Sequence, residues 1–484
     1  MIGQTAIRTA AFPAPNAASK LATGARLGRR ALAGLGIRVG ARLKPALLRI
    51  LALALAPAFA LAQPLDAATE IAVHRSPDGH EFWLVEERTI PILSLEISFK
   101  GGAALDPADR AGLASMMAAL LREGAGTRDA VAFTQAREEI AARISFSAGR
   151  DAFYVAATML SENRAATMAL LRDAMVAPRF DDAAIERIRQ QFLSGARGDV
   201  TNPNAILGRV YRETLLAGDP YGQATDGTEA TLASITRADL VASHRNQLVT
   251  GRARIGIVGD IAAEEAGLMI DRLLAGLPAE GPPLPGPVAP AITGGVTIEA
   301  FDTPQSVVLF VQPGIDRSDP DFFPVFVLNH ILGGGGFSSR LTTEVREKRG
   351  LTYGVYAYLA NYDRMNLWMG GVSTVNARVA ESIEVIRQEW RRMQTFGVTE
   401  EELANAKRYL TGAYPLRFDT NSKIAGILIG LQEDGQAPSY PQIRNDLVDA
   451  VTLEDVNRVA RERLDPEALR FFVVGKPEGL SPGN

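Results

Sequence analysis

The sequence predicts an α+β fold made of two similar domains, each an antiparallel or mixed sheet with helices packed on one face. Three observations carry this. The first is repetition. ITRADLVASHRNQLVTGRARIGIVGD (235–260) and VTLEDVNRVARERLDPEALRFFVVGK (451–476) share one pattern 216 residues apart. Each has a Thr N-cap with an acidic residue three positions on, an amphipathic helix, and an apolar strand ending at Gly. IERIRQQFLSGA (185–196) and ANAKRYLTGA (404–413) end alike, 217 residues apart. Two independent pairs with nearly equal offsets indicate an internal duplication. The second is PAEGPPLPGPVAP (278–290), whose six prolines preclude a helix or a central strand and act as a stiff spacer. The third is the order of periods: strand-like alternation first, helical spacing after, as expected of helices grouped on one side of a sheet.

Taken in order, the N-terminal 62 residues carry nine Lys/Arg and no acid, and close on ILALALAPAFALA (50–62). This reads as a signal peptide with a long basic leader, cleaved after Ala62, and implies a periplasmic or secreted protein. The first domain is expected at about 64–277. Phe82–Val85 and Leu93–Phe99 read as strands. Leu113, Met116, Met117, Leu120 and Leu121 fall at helix spacing. The Pro-rich linker occupies 278–294, and the second domain about 295–478. No segment after residue 62 is long and apolar enough to span a membrane.

Composition excludes several classes. Removing the nine basic residues of the leader from the chain's 51 leaves 42 against 55 acidic, a net charge of −13. Such a surface does not suit nucleic acid. The chain has no cysteine, hence no disulfide, thiolate metal site or cysteine nucleophile. Of the four histidines (His74, His80, His244 and His330), no two are spaced i, i+4. His74 and His80 could share a face near the first strand, but they read as exposed or strand-end residues, and His330 as structural. Glu123 and Glu186 read as solvated helix residues.

The second domain contains GGGGFSSRLTTEVREKRGLTYGVYAYL (333–359). Gly333–Gly336 is not a phosphate loop, since no Gly-Lys-Ser/Thr follows. It reads either as a flexible turn or as backbone that a substrate or partner can approach closely. A helix over Ser338–Arg349 should bury Leu341 and Val345 and stop at Gly350. Leu351–Tyr358 then alternates as a strand. Arg346 falls on the last helical turn and Tyr353 on that strand. Taken alone, Arg346 fits a surface ion pair and Tyr353 a core aromatic.

On these residues, above all NHILGGGGFSSRLTTEVREKRGLTYGVYAYL (329–359), the chain resembles the pitrilysin/insulinase-type zinc metallopeptidases in their short two-domain form. That family includes mitochondrial processing peptidase and the core proteins of the respiratory bc1 complex. The Gly-rich turn, Ser-Arg-Leu and Arg-Glu-x-x-Gly-Leu-x-Tyr elements stand in order, and the resemblance spans about 70–478. Active members carry H-x-x-E-H on the first long helix, two His for zinc and a Glu as general base. Here the matching helix reads GLASMMAALLREG (112–124), which places Ser115 and Ala119 at the His positions and Ala118 at the base. The distal ligand position falls near Ser194-Gly195, without a carboxylate. The resemblance therefore implies that this chain binds no metal. It also implies that Arg346 and Tyr353 are the pair that contacts bound peptide and stabilises the oxyanion.

An intact Arg/Tyr half beside a lost zinc half implies a non-catalytic subunit of a heteromeric periplasmic zinc metalloendopeptidase. A homologous partner bearing H-x-x-E-H would bring the zinc, and peptide would be the substrate. The alternative is a non-enzymatic scaffold or peptide-binding protein of the same fold. An independently active zinc protease does not fit the missing ligands.

Overall fold

The computed structural model describes residues 70–483; the expected signal segment 1–62 and its cleavage point lie outside them. The first half builds a six-stranded sheet from β1 (Ala72–Arg75), β2 (Glu81–Glu86), β3 (Ile92–Lys100), β4 (Arg143–Ala148), β5 (Ala152–Leu160) and β6 (Ala253–Gly259), in the order β1-β2-β6-β3-β5-β4. The second half builds a five-stranded sheet from β7 (Gly295–Ala300), β8 (Gln305–Pro313), β9 (Val355–Asn361), β10 (Asn366–Val375) and β11 (Arg470–Gly475), in the order β9-β10-β8-β11-β7. Apart from β1 the two orders are the same. In each, the first shared strand runs parallel to the last, and every other pair is antiparallel. The sheets are thus mixed, and the duplication read from sequence is a duplication of topology.

The helix signals hold at residue level. The Thr236 and Thr452 hydroxyls cap their helices while Asp239 and Asp455 bond back, so both halves keep the same capping box. Helix α1 (Leu113–Leu120) and α2 (Asp182–Asp199) pack their apolar faces into the first core, with Phe99, Phe153 and Ile257 from the sheet. The second core sets Trp368, Phe310 and Phe471 of the sheet against Trp390 and its neighbours on the helices. Residues 276–294 form neither helix nor strand, as the prolines require. They are held against both halves, since Thr250 N–H donates to the Pro278 carbonyl and Val288 N–H to that of Arg364, both at 2.9 Å.

One feature has no local signal in the sequence. Helix α3 (Pro203–Leu215), which follows α2 in the first half, lies on the sheet of the second half. Ile206, Leu207, Val210 and Leu215 pack there on Val311, Leu367, Met369 and Phe472. Helix α4 (Glu400–Ala413) is the counterpart of α2, and α5 (Asn421–Glu433), which follows it, lies on the first sheet. Ile424, Ala425 and Leu428 cover Trp83, Val85 and Val258. Each sheet therefore has its own helices on one face and a helix from the other half on the opposite face. The expectation of helices on one face describes only the helices a half supplies to itself. Gly256 of β6 permits the approach, since a Cβ there would stand 3.0 Å from the Ala425 carbonyl oxygen and from Leu428 Cβ.

Leu428 is fully buried in this contact. Leu428→Ala should cost about 2–4 kcal/mol and should destabilise both halves in one cooperative transition. Urea unfolding followed by fluorescence at Trp83 in one half and at Trp368 and Trp390 in the other checks this, and separated midpoints would contradict it.

Candidate functional site

In the first half, the helix where the resemblance places zinc ligands is an ordinary core element. Its N-terminus is held by Asp106, a buried carboxylate that accepts from Ala114 N–H at 3.1 and 3.2 Å. Burial pushes this carboxyl up to about 7, against the opposing effect of its backbone bonds. Ser115 is buried, and its hydroxyl donates to the Thr225 carbonyl at 2.9 Å, tying the helix to the neighbouring loop. Ala118 is buried in the core and Ala119 is half-buried against it. None of the three side chains offers a lone pair to a metal except the engaged Ser115. Ser194 and Gly195 are exposed on α2. Glu186 is exposed on α2 as expected. Glu123 lies just beyond α1, not on it, and pairs with Arg187. Among the described residues no group of three or more His, Asp or Glu is placed to hold a metal ion.

In the second half, the glycine run and the Ser-Arg-Leu element have separable physical roles. Gly333 packs directly on β9, where a Cβ would come within 2.7 Å of the Ala357 Cβ and backbone nitrogen. Gly336 has φ +58° with open space around it. The run is therefore part close packing and part left-handed turn, which joins the two readings offered by the sequence. The Ser339 hydroxyl donates to the Gly336 carbonyl and accepts from Thr342 N–H, so it caps the next helix. Arg340 clamps Glu402 through two hydrogen bonds of 2.6 and 2.8 Å and also holds the Gly397 carbonyl. Leu341 and Val345 are fully buried, as the spacing predicted.

Two expectations need correction here. The helix over Ser338–Arg349 is a short tight turn at Gly336–Ser338, then a wide helical turn over Thr342–Glu347 in which Lys348 N–H reaches back five residues to Thr343. Such widened turns recur at functional sites. Nor does the strand begin at Leu351. Leu351 N–H is tied to the Val345 carbonyl, and the Thr352 hydroxyl lies between the carbonyls of Gly354 and Ser373. Pairing with β10 starts only at Val355. Tyr353 is therefore in the loop leading into β9.

The same local structure sets Arg346 and Tyr353 apart from their neighbours. Gly350, at φ +61°, ends the helix and donates to the Arg346 carbonyl at 2.9 Å. On this turn Glu344 is engaged by Lys348 and Arg349, each at 2.7 Å. Arg346 makes no ion pair or side-chain hydrogen bond among the described residues; its guanidinium lies 4.7 Å above the ring of Phe337. Tyr353 is 89% exposed. Neither residue is thus the surface ion pair or core aromatic it resembles in isolation. No hydrogen bond or cation–π contact joins the two. They stand at one end of β9, the outermost strand of its sheet. Such a strand leaves backbone groups open to an added peptide, and a guanidinium and a phenol beside it are donors for peptide carbonyls. Sequence reasoning missed Phe337 and Tyr356, both half-exposed aromatics at this corner. An aromatic directly after a glycine run was the available signal for Phe337.

Three of the four histidines are held by local contacts. His74 lies against Phe82, with ring centroids 5.5 Å apart. His244 bonds the Met175 carbonyl at 2.8 Å, and burial holds it below its ordinary pKa. His330 is 5% exposed and stacks on Tyr409 at 5.1 Å; burial, then the charge of Arg444, pull it down to about 4.

Comparison with known proteins finds two family models along the chain. Residues 83–229 match the family model described as Insulinase (Peptidase family M16), and residues 234–410 match that described as Peptidase M16 inactive domain. The chain is 23% identical over 392 residues to the Helicobacter pylori protein named non-peptidase homolog YmxG, covering 80% of this chain and 90% of that one. It is 24% identical over 399 residues to the probable mitochondrial-processing peptidase subunit beta of Schizosaccharomyces pombe, covering 79% and 86%. Among solved structures, a peptidase M16 inactive domain from Pseudomonas fluorescens superposes with a TM-score of 0.79 at 28% identity, over 85% of this chain and 99% of that one.

The buried His330 generates a pH signature. Its pKa is depressed in the folded state, so its neutral form is favoured there. The associated stability is complete above about pH 6.5 and is lost as pH falls toward 4, on the order of 3 kcal/mol in all. Asp106 acts with the opposite sign, so the test is a difference. Between pH 7 and pH 4, wild type should lose more stability than His330→Phe, measured by urea unfolding at each pH. Parallel curves would contradict the assignment.

Proposed function

The chain belongs to the insulinase-type peptidase family M16, in its short two-domain form, and from that premise we propose that it is the non-catalytic subunit of a heteromeric zinc metalloendopeptidase. A homologous subunit bearing H-x-x-E-H supplies the zinc and the general base. This chain completes the active site by presenting Arg346 and Tyr353 to the peptide being cut. Arg346 donates to the carbonyl oxygen as it gains charge, and Tyr353 adds a second donor. Donors of this kind act most strongly on the charge that develops in the transition state. The signal-like leader read at 1–62 supports a periplasmic setting for the proposed assembly.

The observation that carries the reading is one of contrast. The zinc helix is filled with Ser115, Ala118 and Ala119, whereas the second half holds an uncommitted guanidinium and an exposed phenol beside a free strand edge. A second reading, a scaffold or peptide-binding protein without any part in catalysis, is favoured by the name of the Helicobacter relative. It gives no reason for the uncommitted pair.

Purified chain, mixed with a family relative that carries H-x-x-E-H from the same organism, should cleave unfolded peptides, and neither protein alone should match the mixture. Arg346→Ala should lower kcat/KM of the mixture by about 10²–10³-fold, as loss of an oxyanion donor does, and Tyr353→Phe by less. Undiminished activity with Arg346→Ala would remove the role given to that residue. Stoichiometric zinc in the isolated chain would overturn the subunit model.

A further inference from the structure

Phe337, directly after the glycine run, is 53% exposed and belongs to no hydrophobic core among the described residues. Burial therefore does not account for it. Its one ring contact among the described residues is with Arg346, whose Cζ lies 4.7 Å from the ring centroid.

The local backbone brings the two together. Phe337 and Arg346 are nine residues apart. Nine residues of regular helix would separate them by about 13 Å. Here the helix is broken between them. Gly336, at φ +58°, opens the tight turn Gly336–Ser338, and Ser339 leaves it in extended conformation at φ −78°, ψ 152°. The backbone is tied on both sides of Phe337. The Ser338 hydroxyl donates to the Gly335 carbonyl and the Ser339 hydroxyl to that of Gly336, each at 2.9 Å. Ser339 also lies 3.0 Å from the Thr342 hydroxyl, which couples this turn to the wide turn Thr342–Glu347 that carries Arg346.

The wide turn is anchored separately. Buried Glu344 accepts from Lys348 and Arg349 at 2.7 Å and lies 3.6 Å from Arg392 on the long helix Val379–Phe396. Gly350 N–H closes on the Arg346 carbonyl at 2.9 Å. Ring and guanidinium thus project from two fixed pieces of backbone and meet at their tips.

The chemistry of the holder bears on what it holds. A carboxylate would fix a guanidinium by taking two of its donors and cancelling its charge. A phenyl face attracts the cation through its quadrupole and leaves the charge and the five N–H groups available. We propose that Phe337 is the positioning residue of Arg346: its ring holds the guanidinium in place with the donors open to the carbonyl oxygen of a bound peptide. The catalytic consequence rests on the function proposed above; the holding of the guanidinium rests on the contact itself.

Two measurements test this. The first uses the purified chain alone, isotopically labelled at arginine, in solution NMR. The Arg346 Nε–H resonance is the one that disappears in Arg346→Lys. The ring current of Phe337 should displace it in wild type. Phe337→Leu should return it to the position of a solvated arginine, and Phe337→Trp should keep it displaced. A resonance that Phe337→Leu does not move overturns the proposal. The second uses the mixture with the relative that carries H-x-x-E-H. Phe337→Leu should lower kcat by about two- to fivefold, the worth of an exposed cation–π contact, with KM nearly unchanged, and Phe337→Trp should restore it. In the Arg346→Ala background the same substitution should have no further effect, since the ring acts only through that side chain. An unchanged kcat, or an equal fall in both backgrounds, overturns the positioning role. If the mixture is inactive, or if Arg346→Ala leaves it fully active, the proposed function fails and the resonance alone decides whether Phe337 holds the guanidinium.

Discussion

Everything in this molecule hangs on a reciprocal exchange of helices. A sheet with one face covered by its own helices still exposes the other, and a face bearing Trp83, Val85 and Val258, or Val311, Leu367 and Phe472, cannot be left in water. At about 25 cal/mol per Å² of apolar area, each such face is worth several kcal/mol of burial. The chain solves this by sending α3 and α5 across. Polar contacts then fix the alignment. Asn421 donates to the Ile92 carbonyl at one end of α5, and Gln432 to that of Ile255 near the other. Each half completes the core of the other, so the two behave as one body, and the residues at their meeting line acquire fixed positions.

This explains which parts of the structure were legible in the sequence. Capping boxes, strand alternation and Gly stops are local, and they placed Thr236, Thr452, β3, β11 and the Gly350 stop correctly. The 216-residue offset captured the repeat of topology because the repeat is local pattern used twice. The exchange was not legible. An amphipathic helix announces that it has an apolar face, not which sheet will receive it. The start of β9 was misread for a related reason. Leu351–Tyr358 alternates well, but alternation says nothing about where a partner strand begins. Thr352 and Thr374 spend their hydroxyls holding the loop, the latter on the Leu351 carbonyl.

The first half's helix is held in place by contacts other than metal ligands. A zinc site anchors a helix through its ligands. Here Asp106 holds the helix N-terminus, Ser115 holds the adjoining loop, and Ala118 lets the sheet and helix close over the space. Small side chains at these positions make a dry, well-packed contact, and no buried charge awaits a metal.

Against that background, the arginines of the second half sort themselves by their partners. Arg340 and Arg346 sit six residues apart on the same segment. Arg340 is nearly buried and engages Glu402 and the Gly397 carbonyl, which places it among the supports of the fold. Arg364 belongs with Arg340, since two hydrogen bonds to Asp219 commit it to the fold. Glu344 on the same segment as Arg346 is held by Lys348 and Arg349. The positions three and four away from Arg346 are Thr342, Thr343, Arg349 and Gly350, so no carboxylate faces it on its own turn. It lies over Phe337 instead, at a gain of about 0.5–1 kcal/mol, and its donors have no protein partner among the described residues.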